Sequence, residues 1–313
     1  LFLLSTQKQG KLTDFKQHYI ICPEVTQMKK IIKEETFDEE RALYALNNAE
    51  VTACTFAGPA DGESALKECK NVTVKNCGFS LRYPLWHAKD FSVENCGMDG
   101  KTRAALWYCK NGKISHSRLH GIKALRECRD INLSDCSIIS PEFGWRCKGV
   151  NLDICTVESE YFMFESRNLN LNKVRFTGKY SFQYVKNMTV ADCDFATKDA
   201  FWHSENVTVK NSVLKGEYLG WYSKNLTLVN CVICGTQPLC YCKNLTLVNC
   251  RMEGCDLSFE YSEVNADIKG DILSVKNPLS GRILADGYGE IIFAGSVKNC
   301  RAEVLSRSKK LTA

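Results

Sequence analysis

Eleven positions spaced at nearly one interval carry most of the side chains in this sequence that could do chemistry: Glu68, His87, Tyr108, Glu127, Arg146, Glu165, Tyr184, His203, Tyr222, Tyr241 and Glu260. Directly before members of this series stand all five tryptophans, Trp86, Trp107, Trp145, Trp202 and Trp221, together with Lys67, Arg126, Phe164, Gln183 and Phe259. Stacked aromatic side chains with interspersed carboxylates and Arg suit a long, flat polar ligand such as a glycan. Aromatic faces cover sugar C–H surfaces while charged groups hydrogen-bond hydroxyls. The candidate ligand-binding set is therefore Trp86, His87, Trp107, Tyr108, Glu127, Trp145, Arg146, Glu165, Trp202, His203, Trp221, Tyr222 and Tyr241. A structural reading stands beside it, in which the same residues form aromatic ladders and a Glu127–Arg146–Glu165 ion ladder on a sheet face. That face then serves a protein partner or none.

Catalysis would fall to Glu127, Glu165 and the nearby His87. Two repeats separate the carboxylates, roughly 9.5 Å at the backbone, near the upper end for an inverting glycosidase pair. Arg146 between them favours their charged forms, against use as a general acid. Insertions at 57–64 and 99–103 bring Asp61, Glu63, Asp99, Lys101 and Arg103 toward the same face and could wall one end of it. No clustered Asp pair, nucleophile elbow or phosphate loop emerges, and no cofactor is expected. Cys231 and Cys234 form a CxxC near Cys240, Cys242, Cys250 and Cys255, but these fall on different columns, and zinc needs converging ligands. No metal site is expected.

These positions are held by a repeat. YSKNLTLVNC (222–231) recurs almost unchanged as YCKNLTLVNC (241–250). Asn244, Asn225, Asn206, Asn187, Asn168, Gly149, Asp130 and Asn111 mark one slot at steps of nineteen, with Asp90, Asn71 and Asn48 before them. Alternating apolar residues follow the slot and mark a half-buried strand. Cys or Ser usually stands six positions on, and a large apolar residue eight on, marking a second strand. A third is expected before the slot, as in ALWYC (105–109) and AFWHS (200–204). A fixed short period without helical pattern means a solenoid. The expected fold is all-β, a single-stranded right-handed parallel β-helix of eleven or twelve nineteen-residue coils with three short strands each, spanning roughly 55 Å. The loose corner and nineteen-residue step favour right-handedness. The Trp column faces solvent if its buried neighbours are Leu66, Leu85, Leu106, Leu125, Met163, Phe182, Phe201 and Leu239. A strict alternation from the Cys column would instead bury it.

The expected organisation is a leader at 1–27, an N-terminal cap at 28–41 with a capping box from Thr36, repeats at 42–263, last coils and cap at 264–296, and a basic tail at 297–313. Net charge is +5, but residues 34–296 sum to −3, so the excess lies at the ends and argues against a nucleic-acid partner. No run of eighteen apolar residues suggests a membrane span. Eighteen cysteines in a chain of this length, without a signal-like opening, point to a reducing, cytoplasmic setting. Six N-x-S/T patterns arise where a corner Asn precedes an exposed Thr or Ser, and read as structural.

TFDEERALYALNNAEVTACTFAGPADGESALKECKN, the nineteen-residue coils and SVKNPLSGRILADGYGEII (274–292) resemble a mainly bacterial family, the domain of unknown function three-seven-three-seven. GPADGES and the KNP…G…AD segment carry the resemblance most specifically. It implies a right-handed β-helix of the pectate-lyase-like class. It implies no activity, since none is assigned to the family.

Overall fold

The computed structural model describes residues 29–307. The expected leader at 1–27 and the end of the basic tail lie outside them. The repeat becomes a right-handed parallel β-helix of about fifteen turns with no helix among the described residues. It runs further than the eleven or twelve coils read from the strict period.

Each regular turn starts on a six-residue strand such as Lys110–Ser115 or Lys224–Val229. Within it the landmark residue takes a left-handed backbone, φ 53° at Asn111 and 54° at Asn225. Asn tolerates that region because its short amide bonds locally. Here the amide also links turns: Asn225 Nδ2 donates to Asn206 Oδ1 at 2.7 Å, and Asn244 Nδ2 to Asn225 Oδ1 at 2.9 Å. The two copies of the ten-residue block are thus neighbouring rungs, with Leu228 paired to Leu247. The N-x-S/T asparagines at 187, 206, 225 and 244 are occupied in this ladder.

A second left-handed residue five positions on, Asn76 or Asn230, turns the chain into the shorter second strand, such as Gly78–Phe79 or Val232–Cys234. The Cys/Ser column sits just inside this corner. The backbone N–H of Cys77 donates to Cys96 Sγ at 3.3 Å, and that of Cys96 to Ser117 Oγ at 3.0 Å. Cys and Ser interchange because either supplies an acceptor for an otherwise orphaned interior N–H. In the first strand's inward column Gly112 stands between Phe91 and Ile131. A Cβ there would lie 2.4 Å from Phe91 Cζ, so the missing side chain makes room for the ring.

The third side differs from expectation. Among the described regular coils it pairs as strands at Leu85–Trp86, Leu106–Trp107 and Leu125–Arg126, with a bridge to Trp145. From Gly144 (φ 81°) the same position turns left-handed, at Met163, Phe182, Phe201 and Leu239. AFWHS is therefore a turn, because a left-handed residue interrupts the ladder. Packing holds it: the Phe182 and Phe201 rings stack at 5.1 Å inside.

The ends also depart from the expected caps. Lys30–Lys33 pairs with Asn47–Thr52, and Thr36–Phe37 with Thr55–Phe56. No helical turn forms at Thr36, because Phe37 stacks on Phe56 at 5.3 Å and extends the apolar column. Glu303–Ser306, expected in a tail, pairs with Ser280–Ala285 as a further rung.

Candidate ligand-binding groove

The chemistry-bearing column occupies the corner between the third side and the first sheet. From Glu68 to Tyr241 its members share one left-handed conformation, from φ 52° at Glu127 and His203 to 61° at Tyr241. Each donates its backbone N–H to the next turn, as His87 does to the Trp107 carbonyl at 2.8 Å. With the backbone so fixed, the side chains project outward and stack along the axis.

The stack has three parts. His87 and Tyr108 lie 5.0 Å apart, centroid to centroid. Arg146 Nε donates to Glu165 at 2.8 Å. Tyr184, His203, Tyr222 and Tyr241 form a run with ring separations of 5.0, 5.0 and 4.8 Å. The rings face one another, so the expectation that they offer faces to a sugar fails along the run. What they present outward is edges: phenol hydroxyls and imidazole nitrogens.

The tryptophans point outward but are half-buried, and Leu85, Leu106 and Leu125 before them are fully buried, which settles the register. Trp145, Trp202 and Trp221 donate their indole N–H groups to the carbonyls of Tyr161, Tyr218 and Gln237 at 2.7–2.8 Å. Lys67 lies over Trp86, and Arg126 is shared between Trp107 and Trp145. These contacts brace the third-side turns. Phe259 leaves the column and is fully buried.

Beside the stack runs a groove of about 540 Å³. One wall is His87, Tyr108, Glu127, Arg146 and Glu165 from the expected set, and Cys147 lies in its floor. The other wall is Lys89, Lys110, Arg129, Lys148 and Arg167, which the sequence reading missed. None of the five tryptophans lines it, and His203, Tyr222 and Tyr241 lie further along the axis. The signal for the second wall was present: a Lys or Arg precedes the landmark in almost every coil, but the segment-wide sum of −3 hid it.

The ionic ladder also differs. Glu127 pairs with Arg126 at 3.5 Å, while Arg146 serves Glu165 alone. Both carboxylates face guanidinium groups, which suits binding better than acid–base work. Burial pushes the Cys147 thiol well up, against use as a nucleophile. The inserted loops do not wall this groove. Ala57 and Asp99 line a separate one on the second sheet, where Asp99 accepts from Ser80 Oγ at 2.7 Å. Among the described residues no group of three or more His, Cys, Asp or Glu could hold a metal.

Coil and corner together define a right-handed parallel β-helix. The chain belongs to the family described as protein of unknown function DUF3737, whose model matches residues 30–305. No curated protein matches it. Among solved structures it is similar to PfbA, a surface adhesin of Streptococcus pneumoniae, at 8% identity, covering 76% of this chain and 82% of that one with a TM-score of 0.47. It is also similar to the A-module of the mannuronan C-5 epimerase AlgE4 of Azotobacter vinelandii, at 10% identity, 88% and 91% coverage and a TM-score of 0.29. A third likeness is to the catalytic domain of a GH87 α-1,3-glucanase, at 9% identity, 89% and 64% coverage and a TM-score of 0.32. No residue role is carried over from any of them.

Proposed function

We infer that the protein is a carbohydrate-binding β-helix whose ligand lies lengthwise in the corner groove from His87 to Arg167. The observation that carries this reading is the row of outward hydrogen-bonding edges, one per rung at about 4.8 Å, opposite a second polar row at the same pitch. A linear polyol repeats its hydroxyls on a similar scale and can meet both rows at once. Oligosaccharide binding measured by calorimetry tests it. Tyr108→Ala together with Arg146→Gln should weaken binding at least about tenfold, while Trp107→Ala should retain it. A groove variant that binds like the wild type would end the reading.

A second reading, a scaffold for a protein partner, is favoured by the exposed aromatic run beyond the groove, where Tyr184 and Tyr222 are 47% and 45% exposed. Tyr is enriched at protein interfaces. The columns of buried thiols suit a reducing compartment, and we place the protein in the cytoplasm on that ground.

A further inference from the structure

The second wall of the groove narrows the ligand class. Lys89 pairs in register with Lys110, Lys110 with Arg129, Arg129 with Lys148, and Lys148 with Arg167. Five cations are thus stacked directly opposite one another on successive rungs. Like charges so placed are destabilising. All five are exposed, and none forms an ion pair among the described residues. The carboxylates that could offset them, Glu127 and Glu165, are turned to Arg126 and Arg146. The groove as a whole carries six cationic side chains against two carboxylates.

The same column behaves differently outside the groove. After Lys186 the slot holds Glu205, which pairs with Lys186 at 3.5 Å and with Lys224 at 3.1 Å. There the row neutralises itself. The longest uncompensated run goes from Lys70, in register with Lys89, to Arg167, and all of it but Lys70 lines the groove.

We propose that the groove binds an acidic polysaccharide, a linear chain of uronate-type residues laid along the axis with one carboxylate for each successive cation. This rests on the carbohydrate reading and specifies its substrate class. Two features favour an acidic glycan over other polyanions. The facing wall supplies hydroxyl and imidazole edges that bond ring hydroxyls. It also stacks its rings on one another, as His87 does on Tyr108, which leaves few free faces for the base stacking that single-stranded nucleic acids use. Each carboxylate meets a charge-assisted hydrogen bond, stronger than a neutral one.

The test uses the full chain with oligogalacturonate and oligomannuronate fragments, their carboxyl-reduced neutral counterparts, polyphosphate and a single-stranded RNA. Acidic oligosaccharides should bind tightest and weaken about tenfold or more between roughly 50 and 200 mM salt, as expected when several cations release counter-ions. Arg129→Gln with Lys148→Gln should reduce that binding about tenfold with an unchanged circular dichroism spectrum, while Lys210→Gln, an exposed cation away from the groove, should leave it unchanged. Equal binding of neutral and acidic fragments, indifferent to the double substitution, overturns the acidic class and leaves the carbohydrate reading standing. Tighter binding of RNA or polyphosphate, or an equal loss in Lys210→Gln, overturns the proposal as general charge attraction. Absence of binding to any oligosaccharide overturns both readings.

Discussion

The imidazole of His203 lies parallel to the ring of Tyr222, with centroids 5.0 Å and planes 6° apart, and both residues hold a left-handed backbone. Ring stacking and backbone strain therefore act on one residue in opposite directions. Tyr222 contacts His203 on one side and Tyr241 on the other. At about 0.5–1.5 kcal/mol for each ring pair, Tyr222→Ala should cost about 1–3 kcal/mol. Tyr222→Gly loses the same contacts but escapes the left-handed penalty of roughly 1–2 kcal/mol. In urea unfolding the glycine variant should be the more stable of the two. An alanine variant at least as stable would show that the corner is unstrained.

Gly112 and Phe91 should show compensation. Gly112→Val places new atoms where the Phe91 ring lies and should cost about 1–3 kcal/mol, as overpacked cores do. Adding Phe91→Val should restore most of that loss, although Phe91→Val alone is itself destabilising. Additive losses in the double variant would mean that the two side chains do not share one space.

The period, the inward columns and the left-handed corners were legible because a solenoid repeats its answer in many coils. Asn at the landmark and Cys or Ser at the inner corner each meet one local need, an αL backbone or an orphan N–H. The third side was less legible. Leu85-Trp86 and Phe201-Trp202 look alike as apolar-aromatic pairs, yet one is a strand and the other a turn. The difference lies in backbone angle, which that pattern does not encode. The rung at Glu303–Ser306 was missed because the spacing from Glu263–Ile268 through Ser280–Ala285 to Glu303–Ser306 leaves the nineteen-residue step. His87, Tyr108, Glu127, Arg146 and Glu165, which form one wall of the groove, stand in the column that the repeat picks out. The cation wall escaped because charge was summed along the chain rather than down one column.

Thiol reactivity should follow burial. Burial pushes the Cys69 and Cys255 thiols up to about 12 and the Cys193 thiol up to about 11, so few are thiolates at neutral pH. Of the described cysteines only Cys234 and Cys300 are partly exposed. Iodoacetamide on the native protein followed by mass spectrometry should label those two first, with the buried columns reacting only after unfolding. Early labelling of Cys77 or Cys250, or disulfides recovered from protein blocked at lysis, would contradict the packing and the reducing setting.

Trp107 should matter to stability more than to ligand. It stacks on Trp86 at 5.9 Å and Tyr108 at 5.5 Å and sits against Arg126, yet lies outside the groove. Trp107→Ala should cost about 2–4 kcal/mol, less than full burial of a large aromatic gives at the top of its range. A melting curve like that of the wild type would show that the column braces nothing.

The last rung should loosen in acid. Asp286 accepts the Gly270 backbone N–H at 2.6 Å and pairs with Arg307 at 3.0 Å, and these hold its carboxyl below the ordinary aspartate value. Arg307 also bonds Asp267 and follows Glu303–Ser306 directly. A carboxyl with a depressed folded pKa contributes stability above its unfolded value, near 3.9, and loses that contribution as pH falls through the folded value. Amides of Val304 and Leu305 should therefore keep their hydrogen-exchange protection factors from about pH 6 to 4 and lose protection below that, ahead of the central turns. Asp286→Asn should remove most of this pH dependence while lowering protection at pH 6. Protection that stays level in acid, or a full acid response in the Asn variant, would show that the rung is held by its strand pairing to Ser280–Ala285 alone.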